Sequence, residues 1–197
     1  MTDRPALLAA IAEFGKAGGD RLDVLFNNAG VDAKGPFASM AWERVVALVE
    51  VNLLGALSLI HASIPMLTAT EGSLCLSTAS ASAIFGTANM AVYSATKHAI
   101  KGLTEALAVE LAPSGVRAAD ILPGIIKTGM VPAADKARLP AQGPWRMLPA
   151  EAVAEVAWAA YSGDRLHWYV PAELAAYDVE VTQAPERARD RRIAGAP

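Results

Sequence analysis

Tyr93 and Lys97 stand four residues apart in the stretch Tyr93-Ser94-Ala95-Thr96-Lys97. On a helix that spacing sets a phenol and an ammonium on one face. An unperturbed phenol titrates near about 10, so acid or base work near neutral pH calls for help from its surroundings. An ammonium alongside favours the phenolate, at about 1.4 kcal/mol for each unit of downward shift. The same residues also describe an amphipathic tyrosine beside a solvated lysine, so the pair needs company before it means catalysis. Upstream, Asn27-Asn28-Ala29-Gly30 combines amides with small residues. That composition lets backbone approach a flat ligand and hydrogen-bond it, and an ordinary Asn-Gly turn has it too. Asn52 falls between Val49 and Ala56 on an apolar stripe, where a buried amide must find partners or cost about 1–3 kcal/mol.

The elements that must carry these residues follow from the apolar pattern. Residues 5–14 read as a short helix, turned by Gly18-Gly19-Asp20. Residues 22–26 form an apolar run without alternation, as in a strand covered on both faces. Ser39 is placed to cap a helix that starts at Met40, carries Glu43 in its first turn and continues through Val45, Val49, Leu53, Ala56, Ile60 and Ile64. A strand over 73–77, a loop of small residues, a helix over about 90–111 and a strand over 116–122 come next. Pro123-Gly124 stops that strand. A loop over 128–149 holds Pro132, Pro140, Pro144 and Pro149, and loops of that length are uncommon unless functional or disordered. A helix over 150–162 and a strand over 167–170 close the pattern. Alternating helices and uniformly apolar strands predict an α/β domain with a parallel sheet. Ligands of such sheets sit beyond the carboxyl ends of the strands, just after Phe26, Ser77 and Leu122. From Asp178 onward the chain is charged without an apolar period, so a domain over 1–177 and a surface or disordered tail over 178–197 are expected.

Composition removes other options. The chain has 197 residues, 53% of them hydrophobic and 19% charged, with mean hydropathy +0.30. That suits one packed domain and excludes disorder over most of its length. A net charge of −3 provides no field to hold nucleic acid or an anionic membrane. Cys75 is alone, so no internal disulfide forms and a reducing, cytoplasmic location is expected. His61, His98 and His167 have no partner pattern, and no metal site is expected. The N-terminus lacks a basic region leading into an apolar run, so it does not read as a signal peptide. Residues 51–70 contain no Asp, Glu, Lys or Arg, yet polar residues dilute them and no basic cluster or aromatic belt flanks them. They read as a helix buried in a protein core, and no membrane partner is expected. Arg187, Arg189, Arg191 and Arg192, broken by Asp190, read as a solvated tail.

In their order along the chain, several landmarks resemble those of the classical short-chain dehydrogenase/reductase family. They are Asn27-Asn28-Ala29-Gly30, Val51-Asn52-Leu53 within a helix, the serine-rich loop, Tyr93-Ser94-Ala95-Thr96-Lys97 and Pro123-Gly124. The resemblance implies a Rossmann-like, doubly wound parallel sheet in a three-layer αβα fold. It implies an oxidoreductase that interconverts a small-molecule carbonyl and alcohol by hydride transfer with NAD or NADP. Tyr93 would be the catalytic acid/base, and Lys97 its activator and a ligand of the nicotinamide ribose. Ser80, thirteen residues ahead of Tyr93 and six before Gly86, would hold the substrate oxygen, with Ser82 as auxiliary or rival. Asn52 would hold a water in a proton relay from the lysine. Asn28, Ala29 and Gly30 would line the cofactor, with Pro123, Gly124, the backbone around Ile126 and the Thr128 hydroxyl at its carboxamide. The loop over 128–149 would be a substrate lid, its Met130, Trp145 and Met147 suggesting an apolar pocket. A homo-oligomer, dimer or tetramer, would form through the helices that hold Asn52 and Tyr93.

One departure is large. Family members open with a strand, a glycine-rich turn and a helix whose N-terminus holds the cofactor pyrophosphate. Two further strands follow, with the residue that separates NAD from NADP. Gly15, Gly18 and Gly19 follow a helix and do not substitute. At about 30 residues per βαβ unit, roughly 60 residues of the pattern are missing. In the family's sheet order, 3-2-1-4-5-6-7, strands 4 to 7 remain contiguous. The strand over 22–26 would then be an edge open to pairing, and apolar helix faces would lie bare. The expectation is an N-terminally truncated piece of a longer oxidoreductase. The alternatives are a catalytically impaired chain acting as a binding or dimerising module, or one that recruits the missing surface from a partner chain.

Overall fold

In the computed structural model the described residues are 1–131 and 139–195. Helix α1 (Arg4–Gly18) begins where the Asp3 carboxylate accepts from the Ala6 N–H at 2.9 Å, with Pro5 in the first turn. It ends where Gly19 turns left-handed at φ 66° and its N–H reaches the Gly15 carbonyl. These glycines terminate a helix. Four parallel strands follow in the chain, β1 (Val24–Asn27), β2 (Leu74–Thr78), β3 (Arg117–Pro123) and β6 (His167–Val170), in the spatial order β1-β2-β3-β6. This is the contiguous set expected from the sequence. Among the described residues β1 pairs with β2 alone, and on that edge Val24 is 37% and Phe26 41% exposed.

The side-chain alternation of the strands divides the core. Leu25, Cys75 and Ala118 point to one face and pack under α3 (Gly55–Thr68) and α4 (Ala91–Glu110). Leu74, Leu76, Ala119 and Ile121 point to the other, against α5 (Glu151–Ser162). The result is three layers, helix, sheet and helix. Between β3 and β6 the chain makes a two-stranded parallel ribbon of β4 (Ile125–Ile126) and β5 (Met147–Leu148), which ties together the base of the loop expected to be a lid. Residues 132–138 of that loop, Pro132 among them, lie outside the described residues.

Three sequence expectations need correction. The helix carrying Asn52 starts at Trp42, with Ala41 and not Ser39 at its cap position. Ser39 instead ends a short 3₁₀ turn, its hydroxyl donating to the Pro36 carbonyl at 3.3 Å. From α2 (Trp42–Val49) the helix passes through a π turn (Glu50–Leu54) into α3, 27 residues in all. By length and composition it could cross a membrane, and only 28% of its most apolar window is buried within this chain. The reading of a helix buried in a protein core therefore holds for one side of it. Leu48, Asn52, Ala56, Ile60 and Leu67 face inward while Val46, Leu54 and Leu57 face outward.

The third correction concerns the C-terminus. The boundary at 177/178 falls inside a helix, α6 (Leu174–Gln183), which is followed by α7 (Pro185–Ile193). Leu174, Val181 and Ala188 are buried in the core beside Ile100 and Leu122. Asp178 is buried too, paired with Lys101 of α4 at 2.9 Å and accepting from the Tyr169 hydroxyl at 2.6 Å. Charge at Asp178 concealed this packing from a reading of apolar period. His167 likewise has partners: Nδ1 meets the Asp120 carboxylate at 2.8 Å and Nε2 lies 3.4 Å from Glu105.

Candidate active site

A cavity of about 1080 Å³ opens beyond the carboxyl ends of β1, β2 and β3, where a doubly wound sheet holds its ligands. Tyr93, Lys97, Ser80, Asn28 and Gly30 border it, as do Pro123, Gly124, Ile126 and Thr128. Ala29 and Asn52 are not on its wall. Met130 and Trp145 from the expected lid are, whereas Met147 sits in β5.

β1 and β2 present their final residues as a pair. Asn27 donates to the Ser77 hydroxyl at 3.4 Å, and Asn28 accepts from the Thr78 hydroxyl at 2.8 Å. Two residues on, a Cβ at Gly30 would stand 3.3 Å from Asn52 Oδ1 and 3.7 Å from Lys97 Nζ. The missing side chain keeps that space open, which is the close backbone approach expected of this segment.

Asn52 holds the segment in place. Its Oδ1 accepts from the Val31 N–H and its Nδ2 donates to the Val31 carbonyl, both at 2.8 Å. Nδ2 also reaches the Thr96 hydroxyl at 3.3 Å, and that hydroxyl donates to the Tyr93 carbonyl at 2.8 Å. The amide thus couples the turn after β1 to the helix that carries Tyr93 and Lys97. The π turn, with its i to i+5 bonding, accommodates this on an otherwise apolar stripe.

Lys97 is 5% exposed, and its ammonium donates to the Thr78 carbonyl at 2.7 Å. Burial pulls its pKa down to about 8. Nζ lies 5.8 Å from the centroid of the Tyr93 ring. The phenol is held above its ordinary value: burial raises it, interaction with Ser80 opposes this in part, and the Asp32 charge adds to it. The expected lowering by a neighbouring ammonium does not govern this phenol, because burial dominates. Ser80 extends its backbone and accepts from the Ser82 N–H at 3.1 Å. Ser82 is bonded to the Thr87 hydroxyl at 3.1 Å, and the Thr87 N–H donates to Ser94 at 3.0 Å. The serine-rich loop is thereby braced against α4, with Ser80 turned to the phenol.

One wall residue lies where the sequence suggested a solvated tail. Arg192 of α7 borders the cavity, and its guanidinium rests on Phe85, Trp145 and Tyr177. The available signal was the spacing of Leu174, Tyr177 and Val181, followed by Ala188 and Arg192, which places one side of each C-terminal helix against the domain.

The short chain dehydrogenase family model matches residues 1–139. Cyclohexanol dehydrogenase of Acinetobacter sp. (strain SE19) is 32% identical over 142 residues, 70% of this chain and 55% of that protein. The 3-alpha-(or 20-beta)-hydroxysteroid dehydrogenase of Mycobacterium tuberculosis (strain H37Rv) is 41% identical over 113 residues, 55% of this chain and 42% of that protein. The chain spans about half the length of the curated relatives it matches. Among solved structures, a short chain dehydrogenase from Burkholderia cenocepacia J2315 in complex with NADP superposes with a TM-score of 0.79 at 26% identity, covering 97% of this chain and 76% of that one. The matched sequence, the contiguous parallel sheet and the cavity at its carboxyl end agree, and the chain belongs to the short-chain dehydrogenase family.

Proposed function

We propose that this chain carries the catalytic half of an oxidoreductase that interconverts a small-molecule carbonyl and alcohol with NAD or NADP. The observation that carries the reading is the convergence of Tyr93, Ser80 and Lys97 on one cavity at the carboxyl end of a parallel sheet. The residues present fit the nicotinamide end of such a cofactor, because Gly30 leaves open a cradle beside Lys97 that a Cβ would enter. Lys97 would hold the ribose, Asn28 and Gly30 would flank it, and Thr128 with the backbone around Ile126 would meet the carboxamide. No glycine-rich turn for a pyrophosphate stands ahead of β1 among the described residues. When bound, the nicotinamide supplies or accepts the hydride.

The chain's own residues handle the oxygen and its proton. A phenol held above its ordinary pKa is protonated at neutral pH, so Tyr93 donates to the oxygen of a carbonyl under reduction. Ser80 donates a hydrogen bond to that same oxygen and stabilises the charge that builds there. Lys97 keeps a positive charge over most of the neutral range and favours the phenolate left behind. Asn52 keeps Lys97 and the turn at Gly30 in register. The open edge of β1 and the exposed apolar side of α2 and α3 support a homo-oligomer, dimer or tetramer.

The test is a thermal-shift titration of this chain with NADH and NADPH, alongside Lys97→Ala. At about 100 times the dissociation constant a ligand stabilises the fold by roughly 2.7 kcal/mol. A shift in the parent chain that the variant loses is the expected result. A folded parent chain that shifts with neither nucleotide overturns the reading.

A further inference from the structure

We infer that Arg192 selects substrates that carry an anionic group, a carboxylate foremost, away from the reacting carbonyl. The inference rests on the reading of the cavity as a carbonyl substrate pocket and goes beyond it to the class of substrate. Arg192 is half-buried on α7 and borders the cavity that holds Ser80 and Tyr93. Its guanidinium carbon lies 5.2 Å from the centroid of Phe85, 5.7 Å from Tyr177 and 5.8 Å from Trp145. Nε and one terminal nitrogen donate to the Tyr177 hydroxyl at 3.1 and 2.7 Å. Trp145 and Tyr177 in turn meet edge to face at 5.3 Å. The cation is therefore fixed in orientation by three rings and one neutral oxygen.

Three nearby arginines are neutralised by carboxylates. Arg146 pairs with Glu173 at 2.7 Å, Arg189 with Asp190 at 2.8 Å and Arg191 with Glu180 at 2.6 Å. Among the described residues Arg192 meets no carboxylate, and one terminal nitrogen has no acceptor. A guanidinium has five N–H donors in a planar fork that matches a carboxylate with two parallel bonds. Aromatic surroundings exclude water and strengthen such a pair. Phe85 belongs to the loop that also presents Ser80, so one loop would set the distance between the anion and the carbonyl oxygen. A purely structural cation, pinning α7 to its aromatic neighbours, would need no unbonded terminal nitrogen on a residue that lines a cavity.

The experiment is ligand-observed NMR titration of the full chain with levulinate and 5-oxohexanoate against their methyl esters, with and without NADPH. It is run on the parent chain, Arg192→Gln and Arg192→Lys, and the melting temperature of each is recorded. The expected result is that at least one acid binds at least about tenfold more tightly than its ester in the parent chain. Arg192→Gln should erase that preference while leaving ester binding within about twofold, and Arg192→Lys should keep part of it. Equal binding of acids and esters, or no binding of any acid, overturns the inference. So does a loss of acid and ester affinity by the same factor in both variants, which marks a brace. A charge preference that depends on Arg192 without nucleotide binding that depends on Lys97 would keep Arg192 as an anion-binding residue and remove the oxidoreductase reading on which its role in substrate choice rests. The converse pair of results would remove this inference alone.

Discussion

Burial acts on both members of the Tyr93 and Lys97 pair, and it disfavours the charged form of each. The phenol stays protonated at neutral pH, and the ammonium, with its pKa brought down to about 8, still carries most of its charge there. Tyr93→Phe is expected to lower turnover by at least about a hundredfold, the range of a lost general acid, with an unchanged circular dichroism spectrum and melting temperature. Near-parental turnover in that variant would contradict the role. Lys97 makes a second, thermodynamic prediction. Its folded pKa of about 8 lies below the ordinary 10.5, so between those values the unfolded chain holds a proton that the folded chain has released. Stability should therefore rise with pH across that window. Relative to Lys97→Met, which cannot titrate, the parent chain should gain in melting temperature from pH 7.5 to 10, about the window set by that shift; parallel curves would show that burial does not penalise this charge. Both residues were legible in the sequence from type and spacing. The direction of the phenol shift was not, because it depends on how many atoms surround the ring.

Elements here are joined by polar contacts at their ends as much as by apolar faces. Asn52→Ala removes two 2.8 Å bonds to Val31 and leaves that backbone pair without partners. The expected cost is about 1–3 kcal/mol in urea unfolding, and nucleotide binding should weaken as well, since the turn at Gly30 loses its anchor. Nearer the C-terminus of the chain, Asp178 is drawn in two directions. Burial pushes its carboxyl up, while bonds from Tyr169 and Lys101 outweigh that and hold it below its usual value. The stability it confers is present above the ordinary carboxylate range and is lost as pH falls through the folded value. Asp178→Ala should cost about 1.5–3 kcal/mol at neutral pH, with a smaller loss at pH 3. If Arg192 depends on α6 and α7 for its position, that variant should also lose binding of keto acids. Helix periodicity in α1, α4 and α5 was plain from sequence, and their observed ends differ from the expected ones by a few residues. The C-terminal pair was missed because its inward faces include a charge, a tyrosine and an arginine, each of which finds a partner only in three dimensions.

For the molecule as a whole, the exposed surfaces set the expectation. Among the described residues no strand pairs with the outer edge of β1, and Leu54 at 54% and Trp42 at 69% exposure belong to one 27-residue helix. Apolar surface of this kind marks association sites. Light scattering behind size exclusion should find a mass above 20.5 kDa that rises with loading concentration. Leu54→Lys combined with Leu57→Lys should return it toward the monomer. A single monomeric peak at every concentration would show that these faces are tolerated in water.

What the sequence by itself determined was the class of fold, the succession of strands and helices along the chain and the residues that could do chemistry. Those features are local or positional: apolar runs that must be covered on both faces, and a phenol four residues from an ammonium. Family landmarks then placed Ser80, Asn52 and Gly30 along the chain without any measure of distance. Only the tertiary structure decided what surrounds each group. It set Gly30 against Asn52 and Lys97, raised the Tyr93 phenol by enclosing it, gave His167 and Asp178 their partners and brought Arg192 to the cavity wall. These outcomes depend on desolvation and on contacts between residues up to about a hundred positions apart, and such quantities exist only once the chain has closed on itself.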